Sequence, residues 1–242
     1  MNSVKPLRSS HKNNTITETE SLGDAAHALI IVDMQNFYLK SDSSYCRFFN
    51  ALQPGCLDFI IRRCETIVIP NIRRLLEHFR RNNLPVLFLR LCGMDPDRND
   101  LHRFFHETYR KGLQAGLENV YPLCDDKYAE IIDEIKPLRA ERVVDKTTFS
   151  PFTLANFDLI LKNSGVSALV FTGIATSQCV ETTARDASER GYRIIHIEDA
   201  QADYDELSHT SSLFSSRGVC GGFIVSTEEY CNQGRAEIID KP

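Results

Sequence analysis

Cys179 is the residue of this chain whose setting most directly suggests covalent chemistry. An apolar run typical of a buried strand, residues 168–171, comes before it, and a helical pattern begins at Gln178. A thiol between a strand end and a helix start lies close to unpaired backbone N–H groups and to the positive end of the helix dipole, and both stabilise a thiolate. The setting favours a nucleophile, although an inert buried cysteine is the commoner outcome for a free thiol.

Asp33 follows an apolar segment of strand type, residues 28–32, and Lys146 follows a predicted strand at residues 142–145. Because the carboxyl ends of parallel strands lie on one edge of a sheet, both side chains can converge on Cys179. A carboxylate there could take up the thiol proton, and a cationic lysine could hold the carboxylate and favour the thiolate. The lysine would lower the basicity of Asp33 whereas burial would raise it, and the sequence leaves this balance open. Taken singly, Asp33 also fits a turn cap and Lys146 a surface lysine.

Three segments of the chain, in this order, resemble the isochorismatase-like cysteine hydrolases. They read ALIIVDMQNFY at residues 28–38, VVDKTTFSPF at residues 143–152 and TGIATSQCVETTARDASERGY at residues 172–192. The resemblance extends from about residue 28 to residue 230 and matches Asp33, Lys146 and Cys179 to the family's catalytic Asp, Lys and Cys. The family includes nicotinamidases, ureidoacrylate and biuret amidohydrolases, and N-carbamoylsarcosine amidase.

This resemblance implies covalent hydrolysis of a C–N bond in a small amide or urea-like substrate. Cys179 would attack the carbonyl carbon, Asp33 would carry the thiol proton to the departing nitrogen, and water would then cleave a thioester or thiocarbamate. The family pattern places the oxyanion beside the backbone N–H groups of Ala175 and Cys179. It also places a non-proline cis peptide between Ile174 and Ala175.

The same resemblance suggests which residues bind the substrate. Gln35 and Phe37 continue the first motif and would line or orient the site. Residues 91–125 are charged and rich in aromatic side chains, and in the family this segment carries much of the specificity, either as a lid or as an interface. The predicted substrate-binding residues are Gln35, Phe37, His102, Phe105, Tyr109 and Phe152.

A metal site is not expected from the sequence. His102 and His106 would share a face of a helix, but no carboxylate ligand stands at a fitting offset. Metal-dependent nicotinamidases of the family have an Asp-x-His motif after the second strand and a histidine two residues before the lysine. Here the segment reads LCGMDPDRND, and Val144 stands in the histidine's place. We therefore expect neither a metal nor another cofactor, and the DMQN and ARDASERGY segments resemble the ureidoacrylate and biuret branch.

Other functions remain open at this stage. Nicotinamidase activity, or isochorismatase activity on a vinyl ether, is compatible with the same fold. A non-catalytic binding protein is compatible with it too, because a fold does not determine a function. A redox-sensing role of Cys179 would need a resolving cysteine, for which Cys220 is the candidate.

The elements that must position these residues alternate between strand and helix, which predicts a single-domain α/β fold with a mainly parallel sheet of six strands and helices on both faces. The resemblance adds the doubly wound, Rossmann-like strand order 3-2-1-4-5-6. Strands are expected at residues 28–32, 85–90, 142–145, 168–171, 192–197 and 219–225. Helices are expected at residues 70–83, 127–136, 150–163, 178–190 and 206–217, whereas residues 41–64 lack a regular pattern. The hydrolase domain would span residues 28–232, between a flexible tail at 1–27 and a short tail at 233–242.

The composition is that of an ordinary globular protein. Of 242 residues, 42% are hydrophobic and 25% charged, and the net charge of -5 is spread along the chain, so neither nucleic acid nor a membrane is an expected partner. No apolar run approaches the ~20 residues of a membrane span, and the first residues lack a signal-peptide core. The eight cysteines form no CxxC pair, which predicts reduced thiols and a cytoplasmic location. The resemblance implies a homo-oligomer that acts on a small molecule.

Overall fold

The computed structural model describes residues 25–220 and 222–232. Its centre is a sheet in which every neighbouring pair of strands is parallel and the order is β3-β2-β1-β4-β5-β6. The strands are β1 (His27–Val32), β2 (Val86–Leu91), β3 (Arg142–Lys146), β4 (Ala168–Ile174), β5 (Arg193–Ala202) and β6 (Phe223–Val225). The predicted α/β class and strand order are confirmed. The order reverses between β1 and β4, where doubly wound sheets bind their ligands.

The two central strands are apolar along almost their whole length because helices cover both faces of a parallel sheet. β1 is buried from Ala28 to Val32, and β4 is buried throughout. Val32 pairs with Leu89 of β2 on one side and with Gly173 of β4 on the other. The carboxyl ends of these three strands therefore lie side by side, and the residues that follow them share one edge of the sheet.

Helices connect the strands and cover the sheet. They are α1 (Asn36–Leu39), α2 (Ser44–Leu52), α3 (Asp58–Arg63), α4 (Ile69–Arg81), α5 (Arg103–Gln114), α6 (Phe157–Asn163), α7 (Glu181–Ser188) and α8 (Glu206–Cys220). Single π-helical turns occupy Cys64–Val68 and Thr176–Val180, and 3₁₀ turns occupy Lys127–Ala129, Asp133–Ile135 and Pro151–Thr153. No helix in residues 25–220 and 222–232 is long and apolar enough to cross a membrane.

α3 and α4 are joined by the π-helical turn at Cys64–Val68, so helical structure begins well before the predicted start at Pro70. The N–H of Ile69 donates to the carbonyl group of Cys64, five residues back. Pro70 follows without an N–H of its own. Because the turn before Pro70 is widened, helical structure continues through this proline, although a proline usually marks the start or the end of a helix. The preference of proline for the first turn of a helix therefore predicted the start of this helical segment too late.

Residues 41–64 contain both α2 and α3, although their sequence showed no regular pattern. Ser43 caps α2, because its hydroxyl group accepts the N–H of Cys46 at 3.0 Å. Tyr45 and Phe48 on this helix are buried. The two helices have only 9 and 6 residues, shorter than the window over which a helical period becomes visible. Their shortness explains why the sequence did not reveal them.

Four other predicted boundaries differ from the structure. The helix expected at 127–136 is limited to two 3₁₀ turns, and the one expected at 150–163 is divided because Leu154 is extended, with ψ of 133°. β5 continues to Ala202, and β6 is shorter than predicted. A Cβ on Gly222 would lie 2.5 Å from the carbonyl oxygen of Ile194, so the close approach of β6 to β5 needs a glycine there.

A disulfide joins Cys92 and Cys124, whose Cα atoms are 5.0 Å apart, so the expectation that all thiols are reduced is wrong. The other six cysteines are free. Cys92 directly follows β2, and the N–H of Cys124 donates to the carbonyl group of Gly93 at 3.0 Å. The long segment after β2 thus returns to the end of the same strand. The spacing of 32 positions between the two cysteines does not indicate that they are close in space.

Candidate active site

The ends of β1, β3 and β4 bring Asp33, Lys146 and Cys179 together. Asp33 directly follows β1 and has a left-handed φ of 52°. Gly173 in β4 has φ of +100°, and a Cβ on it would lie 2.1 Å from the carbonyl oxygen of Val32. Only glycine permits this close approach of β1 to β4. The approach sets Asp33 beside the segment that carries Cys179.

Lys146 lies at the centre of this polar cluster. Its Nζ donates to Asp33 Oδ2 at 2.9 Å, to the carbonyl oxygen of Thr148 at 3.1 Å and to Cys179 Sγ at 3.3 Å. The side chain is fully buried, and Asp33 and Cys179 are 1% and 2% exposed. An ammonium group has three N–H donors, and each one here has an acceptor. Lys146 is therefore a buried ionic group, not the surface lysine that its sequence context also allowed.

Burial makes Asp33 a stronger base than an ordinary aspartate. It raises the pKa of the carboxyl group above 3.8, and the positive charge of Lys146 opposes this shift only in part. The sequence left open whether burial or Lys146 has the larger effect on the pKa of Asp33, and the effect of burial is larger. Oδ2 accepts from Lys146, whereas Oδ1 is buried and has no hydrogen-bond partner among the described residues. An oxygen in this state is available to take a proton from a neighbouring group.

Cys179 lies within the π-helical turn Thr176–Val180, which continues directly into α7, so the helix begins before the predicted start at Gln178. Burial and the negative charge of Asp33 raise the pKa of the thiol above 9.0, and Lys146 opposes them only in part. The thiol is therefore protonated at neutral pH. Helix-dipole reasoning favoured a thiolate, but the loss of solvation outweighs the dipole at a residue this deeply buried.

Two side chains hold the backbone around the nucleophile. The Asp203 carboxylate, fully buried just after β5, accepts the N–H of Ser177 at 2.6 Å. The hydroxyl group of Thr183 donates to the carbonyl oxygen of Cys179 at 2.6 Å. These bonds attach the turn to β5 on one side and to α7 on the other. The position of the sulfur is therefore determined by several elements at once.

A narrow cavity is lined by Cys179. The nucleophile segment forms one side of it, with Ile174, Ala175 and Gln178. The peptide between Ile174 and Ala175 is cis, as the resemblance predicted. The opposite side comes from α1, α2, the start of α3 and the residue after Asp203, and consists of Tyr38, Leu39, Tyr45, Leu57, Ile60 and Tyr204. The wall opposite the nucleophile is therefore aromatic and aliphatic.

Three of the residues predicted to bind substrate pack the protein interior instead. The Gln35 amide group donates to two backbone carbonyl oxygens at 2.7 and 3.0 Å, and its own oxygen accepts the N–H of Leu91 at 2.8 Å. Phe37 is fully buried beneath the cavity wall, and the Phe152 ring packs against Phe157, with centroids 4.8 Å apart. None of the three is among the described residues that line the cavity. Gln35 joins β1 to β2 rather than facing substrate.

The predicted residues of the 91–125 segment also lie behind the cavity lining that the described residues form. His102 caps α5, because its Nδ1 accepts the N–H of Phe104 at 3.2 Å. The Phe105 ring contacts Tyr121, with centroids 5.1 Å apart, and the Arg98 guanidinium lies 5.0 Å from the centre of the Tyr109 ring. Tyr121 contacts the cavity wall, because its ring centroid lies 5.9 Å from that of Tyr45. The segment therefore supports the site rather than lining it.

Sequence reasoning missed the outer wall of the cavity. Tyr38 directly follows the predicted residue Phe37, and its place in the first motif is the signal that could have identified it. Tyr45 could have been found from its spacing of three residues to Phe48, which places both on one face of a helix. Tyr204 gave no sequence signal, because its position depends on the unexpected extension of β5 to Ala202.

The residues present do not form a good metal site. In the part of the chain that the structure describes, one group of three potential ligands converges, namely Cys92, Cys124 and Asp145. Its two sulfur atoms are bonded to each other, and its carboxylate forms a paired salt bridge with Arg90 at 2.6 and 2.8 Å. The Nδ1 atom of His106 lies 2.8 Å from a backbone carbonyl oxygen, away from the Cys179 cavity lining. The donor groups are thus engaged elsewhere.

Comparison with known proteins assigns this arrangement to a family. Residues 27–229 match the family described as the isochorismatase domain. The chain belongs to the isochorismatase family. The match covers the sheet, the nucleophile turn and all three residues of the buried cluster. It confirms the family of hydrolases that the three sequence motifs indicated.

Individual relatives agree with this assignment. The chain is 30% identical over 232 residues to the ureidoacrylate amidohydrolase RutB of Yersinia enterocolitica, a match that covers 90% of this chain and 94% of the relative. The N-carbamoylsarcosine amidase of Thermoplasma acidophilum is 26% identical with a TM-score of 0.59, over 83% of this chain and 96% of that one. An isochorismatase family protein of Desulfovibrio vulgaris has the same fold, with a TM-score of 0.70 at 22% identity over 90% and 100% of the two chains.

Proposed function

We propose that this protein is a cysteine-dependent amidohydrolase that cleaves a C–N bond of a small amide or urea-like substrate. The observation that carries the proposal is the buried contact of Lys146 Nζ with both Asp33 Oδ2 and Cys179 Sγ, at 2.9 and 3.3 Å. The similarity to proteins named for ureidoacrylate and N-carbamoylsarcosine hydrolysis supports a carbamoyl group as the reacting part of the substrate.

The first half of the reaction forms a covalent intermediate. Because burial keeps the Cys179 thiol protonated, its proton passes to Asp33 as the sulfur attacks the substrate carbonyl carbon. Negative charge then develops on the carbonyl oxygen, for which the backbone N–H groups of Ala175 and Cys179 are the proposed donors. Asp33 next delivers the proton to the substrate nitrogen, and ammonia or an amine departs. A thioester or thiocarbamate on Cys179 remains.

The second half regenerates the enzyme. Asp33, again ionised, takes a proton from a water molecule that attacks the same carbonyl carbon. The carbon–sulfur bond breaks, the acid or carbamate leaves, and the sulfur recovers a proton from Asp33. Lys146 stays cationic throughout. Burial lowers its pKa, but the negative charge of Asp33 and the hydrogen bonds to Asp33 and Cys179 outweigh burial and raise it overall. It holds the carboxylate in place and offsets the negative charge on sulfur.

The alternative roles receive less support from the contacts of the two cysteines concerned. The Cys220 sulfur lies 3.6 Å from the hydroxyl oxygen of Ser216, at the far end of α8, whereas Cys179 Sγ contacts Lys146. A resolving cysteine would have to lie next to the nucleophile. A pure binding protein would not need an aspartate, a lysine and a cysteine buried together at the cost of their solvation.

Ammonia release from a substrate panel tests the proposal. The panel contains ureidoacrylate, biuret, triuret, N-carbamoyl amino acids and nicotinamide, each with wild type, Cys179→Ala and the matched control Cys220→Ala. We expect turnover of at least one urea-like compound that falls below detection in Cys179→Ala, stays within about twofold in Cys220→Ala and survives a chelator. Loss with the chelator would point to a metal-dependent nicotinamidase. No turnover on any compound, together with slow alkylation of Cys179 at every pH, would contradict the proposal and favour a binding protein.

A further inference from the structure

The wall of the Cys179 cavity has an unusual electrostatic character for a site whose relatives include an amidohydrolase named for an anionic substrate. Opposite the nucleophile, the described lining consists of aromatic and aliphatic side chains, with Tyr45 and Tyr204 joined by a 2.9 Å hydrogen bond between their hydroxyl groups. On the nucleophile side, Gln178 supplies an uncharged amide group. None of the described lining residues carries a positive charge. A substrate carboxylate would therefore find polar groups but no cation.

Two cations next to residues of the cavity lining are already bound to other groups. Lys146 uses its three N–H donors on Asp33, Cys179 and a carbonyl oxygen. Arg63, one turn after Ile60, donates to two backbone carbonyl oxygens of β5 at 3.0 and 3.2 Å. Neither can turn to a substrate carboxylate without leaving an acceptor unpaired, and that loss opposes the new contact.

Arg98 is unavailable for the same reason. Its Nε donates to the carbonyl oxygen of Tyr121 at 3.0 Å, and Nη2 donates to the side chain of Asn119 at 2.7 Å. Lys40 follows the cavity residue Leu39 in sequence, but its side chain is exposed to solvent. A cation in water beside the protein stabilises a buried anion only weakly because solvent screens the interaction.

The charges that remain in the site do not attract an anion. Asp33 is negative in its catalytic form and Lys146 only balances it, so the cluster supplies no net positive charge. Burial keeps Tyr45 and Tyr204 uncharged, because it raises the pKa of each phenol above its usual value of 10.0. An anionic substrate would lose its hydration in this cavity and gain no ion pair in exchange.

From this wall we infer that the site accepts uncharged amide or urea-like substrates and discriminates against substrates that carry a carboxylate. The inference rests on the proposed function for the reaction itself, and it departs from the anionic substrate for which the ureidoacrylate-hydrolysing relative is named. The uncharged wall of Tyr45, Tyr204, Leu57 and Ile60 is the specificity element.

A pair of alkylating reagents tests the charge preference without any turnover. Iodoacetamide and iodoacetate are nearly equal in size and differ in charge, and their rates at Cys179 are followed by mass spectrometry of the peptide. The ratio of the two rates is divided by the same ratio for N-acetylcysteine, which removes the intrinsic difference between the reagents. We expect Cys179 to favour iodoacetamide by about tenfold or more after this correction. A corrected ratio of one, or one that favours iodoacetate, overturns the inference.

Substitutions at the cavity mouth show whether the wall causes the preference. Leu39→Arg places a cation at the half-buried end of α1 and should lower the corrected ratio several-fold. Leu39→Gln, its uncharged match, should leave the ratio unchanged. Lys40→Gln should also leave it unchanged. A fall in the iodoacetate rate in Lys40→Gln would mean that Lys40 already serves as an anion anchor, and the inference would be wrong.

A matched substrate pair separates this inference from the proposed function. Ureidoacrylamide and ureidoacrylate carry the same ureido group, and chromatography with mass detection distinguishes cleavage of that group from cleavage of the terminal amide. We expect kcat/KM for ureidoacrylamide to exceed that for ureidoacrylate by about 100-fold. Cysteine-dependent turnover that favours ureidoacrylate would overturn the inference and leave the proposed function standing. Absence of turnover with a retained iodoacetamide preference would overturn the proposed function alone.

Discussion

The residue scale of this protein is governed by the cost of burying charge. Asp33, Lys146 and Cys179 were predicted to meet because each follows a strand of one parallel sheet, and the structure places them in contact. Their protonation states could not be predicted in the same way, because the degree of burial depends on the helices that cover the strand ends. Burial raises the pKa of the Cys179 thiol, whereas the sequence favoured a thiolate. It also raises the pKa of the Asp33 carboxyl group, a direction that the sequence left open. Spacing indicates proximity, whereas packing determines reactivity.

Removal of one member of the buried ion pair should destabilise the protein more than removal of both. In Lys146→Met the Asp33 carboxylate stays buried without its partner, and we expect a loss of about 3–5 kcal/mol in the free energy of unfolding. The double variant Asp33→Asn with Lys146→Met should lose less, because no isolated charge remains. Denaturant unfolding of both variants measures this difference. A double variant less stable than Lys146→Met would contradict the view that the pair is held against a desolvation cost.

The raised pKa of Asp33 should appear in the pH dependence of catalysis. Asp33 can accept the thiol proton only when ionised, and burial raises its pKa above 3.8. For an uncharged substrate, kcat/KM should therefore increase with pH along an acid limb whose midpoint lies above 3.8. The same shift means that this group stabilises the fold most below pH 3.8 and less as the pH rises through its folded pKa. Circular dichroism over the same range separates loss of activity from unfolding, and a midpoint at or below 3.8 would contradict the assignment.

At the scale of elements, the strands were predictable and several helices were not. Strands in a parallel sheet are buried on both faces, so β1, β2 and β4 stand out as apolar runs. Short helices such as α2 lack a full helical period in sequence. The helical structure around Pro70 begins earlier than this proline indicates, because a π-helical turn precedes it. These elements supply Tyr45, Leu57 and Ile60 to the cavity. This part of the wall was therefore missed together with the helices that carry it.

The disulfide after β2 should stabilise the segment behind the cavity. It joins Cys92 to Cys124 and encloses α5 together with Tyr121. We expect Cys124→Ser to lower the free energy of unfolding by about 2–4 kcal/mol, because the enclosed chain regains freedom in the unfolded state. Thermal unfolding of the oxidised wild type and the variant measures this loss. Cys220→Ser is the matched control, because Cys220 forms no disulfide.

A thiol titration provides an independent check on this disulfide. Denatured protein that has not been reduced should react with six equivalents of a thiol reagent, corresponding to the six free cysteines. After reduction the value should be eight, the total number of cysteines in the chain. Eight equivalents before reduction, in protein purified without reductant, would mean that Cys92 and Cys124 are not joined.

At the scale of the whole molecule, one sheet edge collects residues from distant parts of the chain. Asp33 and Lys146 are 113 positions apart in sequence, and the strand order confirmed here makes them neighbours. That order came from a resemblance to a known family, since the spacing of strands alone does not determine it. The domain boundaries at 28 and 232 stay a prediction, and the packing of Tyr230 shows how the second of them can be tested.

A chain of residues 25–232 should keep the stability and activity of the full protein, whereas a chain of residues 25–226 should not. Tyr230 is 5% exposed, its ring stacks on Phe79 with centroids 5.7 Å apart, and its hydroxyl group lies 2.7 Å from His27 Nδ1 at the start of β1. Removal of such a buried aromatic side chain costs about 3–5 kcal/mol. Denaturant unfolding of the two chains and of full-length Tyr230→Ala gives the comparison. If the chain of residues 25–232 were also strongly destabilised, residues outside it would have to contribute to the core, and the domain would be larger than predicted.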